Sequence, residues 1–189
     1  MGQKILFIHS AGSQGDNQGS DGLLTNLKLA LGESYSLLCP KMPDPENPNY
    51  QAWKGTLGTQ LDLIDDQIIL IGHSLGGSVL LKYFSEIPYQ KPILGMFIIA
   101  SPFFMGRPGG LAQFSLRKDF GSRLVSIPRI YLYHSQDDEW VPFDHQSRFA
   151  ENLPQSVTRN FTDYGHSFDR PFPELIHDIT SIGTSKVSR

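Results

Sequence analysis

The 189-residue chain has a single cysteine, Cys39, so an intrachain disulfide is excluded and stability has to come from packing. One thiol in a chain of this size fits a reducing compartment, and a cytoplasmic location is the expectation. Charge is modest: 19% of residues are charged and the net charge is −3, so a basic face for nucleic acid or an anionic membrane is not expected. Long apolar runs are missing as well. The first run, in Met-Gly-Gln-Lys-Ile-Leu-Phe-Ile-His, is too short for a signal-peptide core or a membrane span, and His9 ends it. Gly2 lacks the Ser or Thr at position 6 that myristoylation requires, since Leu6 stands there. There is no His-Glu-x-x-His and no cysteine pair, so neither a metal nor another cofactor is expected. Asn160-Phe161-Thr162 is a glycosylation sequon, read as chance in a chain of this character. With no repeat, charge block or long linker, one domain over residues 1–189 is the expectation.

What the chain does have is a regular alternation of short apolar runs and longer periodic ones. The runs Lys4–His9, Ser34–Cys39, Gln67–Ile71, Gly95–Ala100, Arg129–Tyr133 and Val157–Phe161 read as strands. Most are apolar at successive positions, as in "QIILI" and "GMFIIA", which suits strands buried on both faces. Between them, Leu23–Leu31, Asn49–Leu63, Leu75–Glu86, Phe143–Leu153 and Pro173–Ile182 read as helices. Leu23, Leu24, Leu27, Leu29, Ala30 and Leu31 are expected largely along one side of the first. Pro173 suits a first helical turn, where its missing N–H is not needed. This rhythm predicts an α/β fold with a parallel sheet. In such sheets ligands bind beyond the carboxyl ends of the strands, so the segments that follow each strand are where chemistry is expected.

One of those segments is Gly72-His73-Ser74-Leu75-Gly76, a G-x-S-x-G between a strand and a helix. That is the context of a nucleophile elbow, a tight turn that lifts a serine hydroxyl above the sheet. It also places the unpaired N–H of Leu75 beside Ser74, where it can face an oxyanion. A plain glycine turn is the alternative; a phosphate loop is disfavoured because no Lys follows Gly76-Gly77. A serine needs a base. Of six histidines, His166 sits in a loop after the last strand, flanked by small Gly165 and Ser167. His73 is turned away from the serine and reads as a supporting residue, His9 shapes the loop it ends on, and His177 lies within the last helix. The acid that orients the base is expected after the fifth strand, at Asp137 or Asp138. The resulting order Ser, Asp, His is that of α/β-hydrolases.

On these residues the chain resembles the α/β-hydrolases, and more narrowly the small serine hydrolases of the retinoblastoma-binding protein 9 and bacterial YdeN type. The resemblance runs through "FIHSAGSQG", "CPKMPDPENPNYQAW", "IGHSLGG", "SQDDEWVPF" and "FTDYGHSFD". Met-Pro-Asp-Pro with the downstream Trp53 is the most family-specific part. The resemblance implies a three-layer α/β/α hydrolase fold with a six-stranded parallel sheet ordered 2-1-3-4-5-6 and a minimal lid. No antiparallel strands are expected before the first strand. The family's D-x-x-[VL]-P falls on Asp138-Glu139-Trp140-Val141-Pro142 and favours Asp138 over Asp137; the family's histidine falls on His166. The second oxyanion donor falls on Ala11 or Gly12. Ser10 stands where His-Gly is often seen in the wider superfamily, and would tighten or block that loop.

The segment after the fourth strand, Phe103 to Ile127, is expected to be a loop with one short helix around Leu111–Lys118. Phe103, Phe104 and Trp140, with Met105 and Phe114, are candidate walls of an open apolar pocket, although packing at the core edge is the competing role for such rings. The expected partner is a small-molecule acyl substrate with a small apolar acyl group. No protein partner is indicated. The leading reading is a carboxylesterase-like serine hydrolase; an interaction protein on a hydrolase fold, and a thioesterase or acyltransferase, are the alternatives.

Overall fold

The computed structural model describes residues 2–105 and 111–183. Strands β1 (Gln3–Ile8), β2 (Tyr35–Leu38), β3 (Ile68–His73), β4 (Ile93–Ile99), β5 (Ile130–Ser135) and β6 (Ser156–Phe161) form one sheet in the order β2-β1-β3-β4-β5-β6. Every pairing is parallel. Helices α1 (Asp21–Leu31), α2 (Tyr50–Asp62), α3 (Leu75–Glu86), α4 (Phe120–Arg123), α5 (Asp144–Asn152) and α6 (Pro173–Gly183) occupy the connections.

The alternation of side chains along each strand divides the core in two. In β1, Leu6 and Ile8 face the layer built on Trp53, Leu57, Val79, Leu80 and Phe149, which is the α2, α3 and α5 side. Ile5 and Phe7 face Leu23, Leu27, Leu175 and Ile179, which is the α1 and α6 side. The central strands β3 and β5 are buried at every position, which is why they read as continuous apolar runs. The edge strand β6 has no fully buried position. Sequence periodicity misplaces two residues of α1: Leu29 is 78% exposed and Ala30 is exposed as well, because the buried stripe is Leu23, Leu24, Leu27 and Leu31.

The expected helix around Leu111–Lys118 is not formed. A single 3₁₀ turn spans Ala112–Phe114, and α4 follows at Phe120–Arg123. Apolar residues of this segment drop into the core instead of lying along a helical stripe: Phe114, Leu116 and Phe120 are all buried. Residues 106–110 of the minimal lid lie outside the described residues. Among the described residues no helix is long and apolar enough to cross a membrane.

The direction of chain winding reverses between β1 and β3, which lie side by side although β2 separates them in sequence. At such a point the loops at the strand ends splay apart and leave a crevice. The loop after β1 and the turn after β3 both open there.

Candidate functional site

The turn after β3 is under backbone strain. Ser74 has φ 52 and ψ −123, a conformation that costs a non-glycine residue about 1–3 kcal/mol and persists only where its surroundings enforce it. Close packing on both sides supplies the enforcement. A Cβ at Gly76 would run into the backbone carbonyls of Ile8 and His9, and one at Gly72 into the backbone of Gly77. Ser74 N–H is tied to the Ile99 carbonyl at 2.8 Å, and the Ser74 carbonyl accepts from Gly77 N–H at 3.1 Å. The Ser74 hydroxyl makes no hydrogen bond among the described residues, His166 included. Leu75 begins α3, so its N–H belongs to the first helical turn and has no intrahelical acceptor.

Ser74 and His166 line one half-open cavity of about 620 Å³ at the carboxyl end of the sheet. The His166 Nδ1 lies 3.0 and 2.9 Å from the two carboxylate oxygens of Asp138. An acceptor-only carboxylate on Nδ1 fixes the proton there and leaves Nε2 as the basic nitrogen. The Asp138 side chain is fully buried, whereas His166 keeps 18% of its side chain exposed. Asp138 Oδ1 also accepts from the N–H groups of Trp140 and Val141, each at 2.9 Å. Burial would push the Asp138 carboxyl up, but the bonds from His134, His166 and the Val141 N–H outweigh it and hold the group well below the usual carboxylate range.

Asp137 and Asp138 therefore have different surroundings. Asp137 is exposed; its Oδ1 accepts from the Ser135 hydroxyl and from the Gly165 N–H at 3.0 Å, one residue before His166. Asp137 fastens the histidine loop by its backbone, and Asp138 holds the imidazole itself.

The two possible donors of the first loop also separate. Gly12 N–H is committed to the Pro45 carbonyl at 2.7 Å, while Ala11 is exposed on the cavity wall without such an acceptor among the described residues. Ser10 does not block the loop. It is buried and its N–H donates to Ser20 Oγ at 2.9 Å, which draws the loop inward. The Met-Pro-Asp-Pro segment supports this arrangement from behind. Trp53, fully buried on α2, donates its indole N–H to the Pro43 carbonyl at 2.8 Å, and Met42 N–H donates to Gln14 Oε1 at 2.9 Å. The indole thus anchors a loop whose Pro45 carbonyl holds Gly12. Trp53→Phe is expected to lower kcat about tenfold by loosening that loop. The melt is expected to lose about 1–2 kcal/mol for the missing bond. Activity and thermal unfolding measured on the same preparation check both.

Of the candidate pocket walls, Phe104 and Trp140 line the cavity. Phe103 does not; it is buried in the core with its ring 5.0 Å from that of Phe149 and 6.3 Å from that of Phe120. Its backbone leaves β4 towards α5, where Phe103 N–H donates to His145 Nδ1, and the ring follows the chain into the apolar layer. Phe114 is fully buried beside Tyr50 and packs the core as well. Trp140 is 76% exposed at the cavity rim.

Sequence reasoning missed two residues. His134, buried on β5, places Nε2 3.1 Å from Asp138 Oδ2 and 3.0 Å from the Val141 carbonyl. Both partners are acceptors, so Nε2 carries a proton shared between them, and Asp138 is gripped by two histidines. The available signal was a histidine inside the apolar run "IYLYHS", since a buried imidazole requires a partner. Ser20, fully buried before α1, gave no signal at all. Among the described residues no group of three or more His, Cys, Asp or Glu is placed to hold a metal.

Comparison with known proteins shows which family and fold the chain resembles. The serine hydrolase family matches residues 35–168. The rat serine hydrolase RBBP9 is 27% identical over 150 residues, 79% of either chain. The putative hydrolase YdeN of Bacillus subtilis is 26% identical over 196 aligned positions that span both chains completely. The crystal structure of the B. subtilis ydeN gene product superposes with a TM-score of 0.79 at 18% identity, covering 97% of this chain and 100% of that one, so the fold is that of the α/β-hydrolases. With the matched family extending over more than two thirds of its length, and the serine turn and the histidine loop both inside the match, this chain belongs to the serine hydrolase family.

Proposed function

We propose that the protein cleaves small carboxylic esters through an acyl-enzyme on Ser74. The observation that carries this reading is the His166 Nδ1–Asp138 bond at 2.9 Å, made at the wall of the cavity that also contains the strained serine turn. His166 Nε2 takes the proton of the Ser74 hydroxyl as the oxygen attacks the ester carbonyl. Asp138 holds the imidazole in the required tautomer and stabilises the imidazolium that forms. The N–H groups of Leu75 and Ala11 receive the oxyanion. His166 then gives its proton to the departing alkoxide. Water, deprotonated by the same nitrogen, attacks the acyl-enzyme and frees the acid and Ser74.

The acyl group this site favours is small and apolar. Leu75, Phe104, Leu111, Trp140 and Val141 supply apolar wall, and Leu111 and Trp140 keep apolar surface exposed at the mouth, where a bound acyl group would cover it. Among the described residues the cavity is half-open, with no long enclosed tunnel for a fatty chain. Chain-length preference tests the reading directly. p-Nitrophenyl butyrate is expected to turn over at least tenfold faster than the palmitate ester, and a preference for palmitate contradicts it. Trp140→Ala is expected to raise KM for butyrate by about three- to tenfold with kcat little changed, the loss of one apolar contact. Trp53 is fully buried, so a ligand-dependent change in tryptophan emission reports on Trp140.

A further inference from the structure

Ser20 stands immediately before α1, where a serine side chain ordinarily caps the helix by accepting from an N–H of the first turn. It makes no such bond. Its hydroxyl turns inward to His73 Nδ1 at 2.8 Å, and on its other side Ser20 Oγ accepts from Ser10 N–H at 2.9 Å. The other ring nitrogen, His73 Nε2, lies 2.8 Å from the backbone carbonyl of His166. His73 and Ser20 are both buried, at 1% and 0% exposure, so neither side chain readily exchanges its partner for water.

We propose that Ser20 and His73 form a fixed relay that positions three parts of the site together: the loop carrying Ala11, the turn carrying Ser74 and the loop carrying His166. This rests on the acyl-transfer reading above for what is being positioned. The directions of the bonds follow from donor and acceptor rules. A carbonyl only accepts, so His73 Nε2 carries the proton. Nδ1 of that tautomer is an acceptor and takes the Ser20 hydroxyl proton. Ser20 Oγ can also reach Ser10 Oγ, but at 3.2 Å, and its one proton goes to the nearer imidazole. Burial pushes His73 down to about 3, and the neighbouring His166 acts in the same direction, so the ring stays neutral.

The opposite tautomer would set the Nε2 lone pair against the His166 carbonyl oxygen, two acceptors facing each other in a buried space. Ser20 prevents this by requiring an acceptor at Nδ1. His73 precedes the nucleophile in sequence, and the His73 ring centre lies 5.2 Å from that of His166. A displacement of the His166 backbone therefore moves the base relative to Ser74. His73 and Ser20 are positioning residues; neither touches the reacting atoms.

Two measurements test the relay. The first is the ¹⁵N spectrum of the wild-type histidines, with His73 assigned through His73→Gln. His73 is expected as the Nε2–H tautomer with no titration from about pH 5 to about pH 9, the interval in which an unperturbed histidine changes charge. The second is ester kinetics of Ser20→Ala and Ser20→Thr, per active site and after a thermal melt. Ser20→Ala is expected to lower kcat about ten- to a hundredfold at unchanged KM, as expected for a misplaced base, and Ser20→Thr, which keeps the hydroxyl, to restore most of it. A titrating His73, an Nδ1–H tautomer, or folded Ser20→Ala with wild-type kcat overturns the proposal. Should Ser20→Ala fail to fold, or wild type lack ester turnover altogether, the tautomer decides alone; only the second of these outcomes counts against the acyl-transfer reading.

Discussion

Ser74→Ala is expected to lower kcat for p-nitrophenyl butyrate by about 10⁶-fold, the scale seen when a serine nucleophile is removed from a working triad. The fold should be indifferent to the change. The hydroxyl has no hydrogen-bond partner among the described residues, and alanine bears the positive φ of 52 no worse than serine does. The turn is enforced by backbone packing at Gly72 and Gly76, none of which involves the Ser74 side chain. A melting temperature within a few degrees of wild type, together with residual activity near the buffer rate, is the expected pair of results. A loss of only a fewfold would place the nucleophile elsewhere.

Asp138→Asn is the second large effect, about 10⁴-fold in kcat. Its size follows from how the carboxylate is shared. Oδ1 accepts from two backbone N–H groups, so the amide oxygen of an asparagine is held on that side. The amide NH₂ then points to the Oδ2 position, where it meets the N–H of His134 and the Nδ1 of His166. His166 answers the NH₂ by moving its proton to Nε2, the nitrogen that must accept from Ser74, because the Oδ1 site 3.0 Å away is already taken by two backbone N–H groups. The variant is therefore blocked by the wrong tautomer while its shape is preserved. Asp137→Asn is the matched control. Its amide oxygen can still accept from Ser135 and Gly165, and the expected loss is no more than about tenfold. Equal losses in the two variants would contradict the division of roles between the aspartates.

The parts of this structure that could be read from the sequence are those that local patterning dictates. β3 and β5 are buried on both faces and appear as unbroken apolar runs, and Leu75–Glu86 begins and ends where the glycine turn and the apolar periodicity place it. The serine turn is legible because its strain needs glycine on both sides, and that requirement is written within five residues. What stayed hidden depends on contacts across the fold. Ser20 and His73 are 53 residues apart and meet only because β1 and β3 are neighbours, which brings the end of the first loop beside the serine turn. His134 lies near the end of β5, four residues before Asp138 in the loop that follows, and spacing along the chain does not show that its ring meets that carboxylate. Phe103 and Phe104 are adjacent and chemically alike, yet one packs on Phe149 and the other lines the cavity. The segment around Leu111–Lys118 has apolar residues at helix-compatible spacing, but the core takes Phe114 and Leu116 individually and leaves only a 3₁₀ turn.

The arrangement as a whole assigns distinct tasks to polar groups that resemble one another in the sequence. His166 joins a buried carboxylate to the serine cavity with part of its ring exposed. His73 and His134 are buried and act on the backbone of one partner and the carboxylate of the other. His9, buried at the end of β1, lies 2.8 Å from Cys39 Sγ, and burial pushes that thiol up to about 12, so Cys39 is a poor competitor for an electrophile.

If His166 is the base that activates Ser74, the serine reacts with electrophiles that an ordinary serine resists. The folded protein is exposed to a fluorophosphonate and the adduct located by mass spectrometry of the digest. A single adduct is expected on the peptide that carries Ser74, formed in wild type and absent in folded His166→Ala. No adduct on well-folded wild type, or an adduct that persists at full rate without His166, would contradict it.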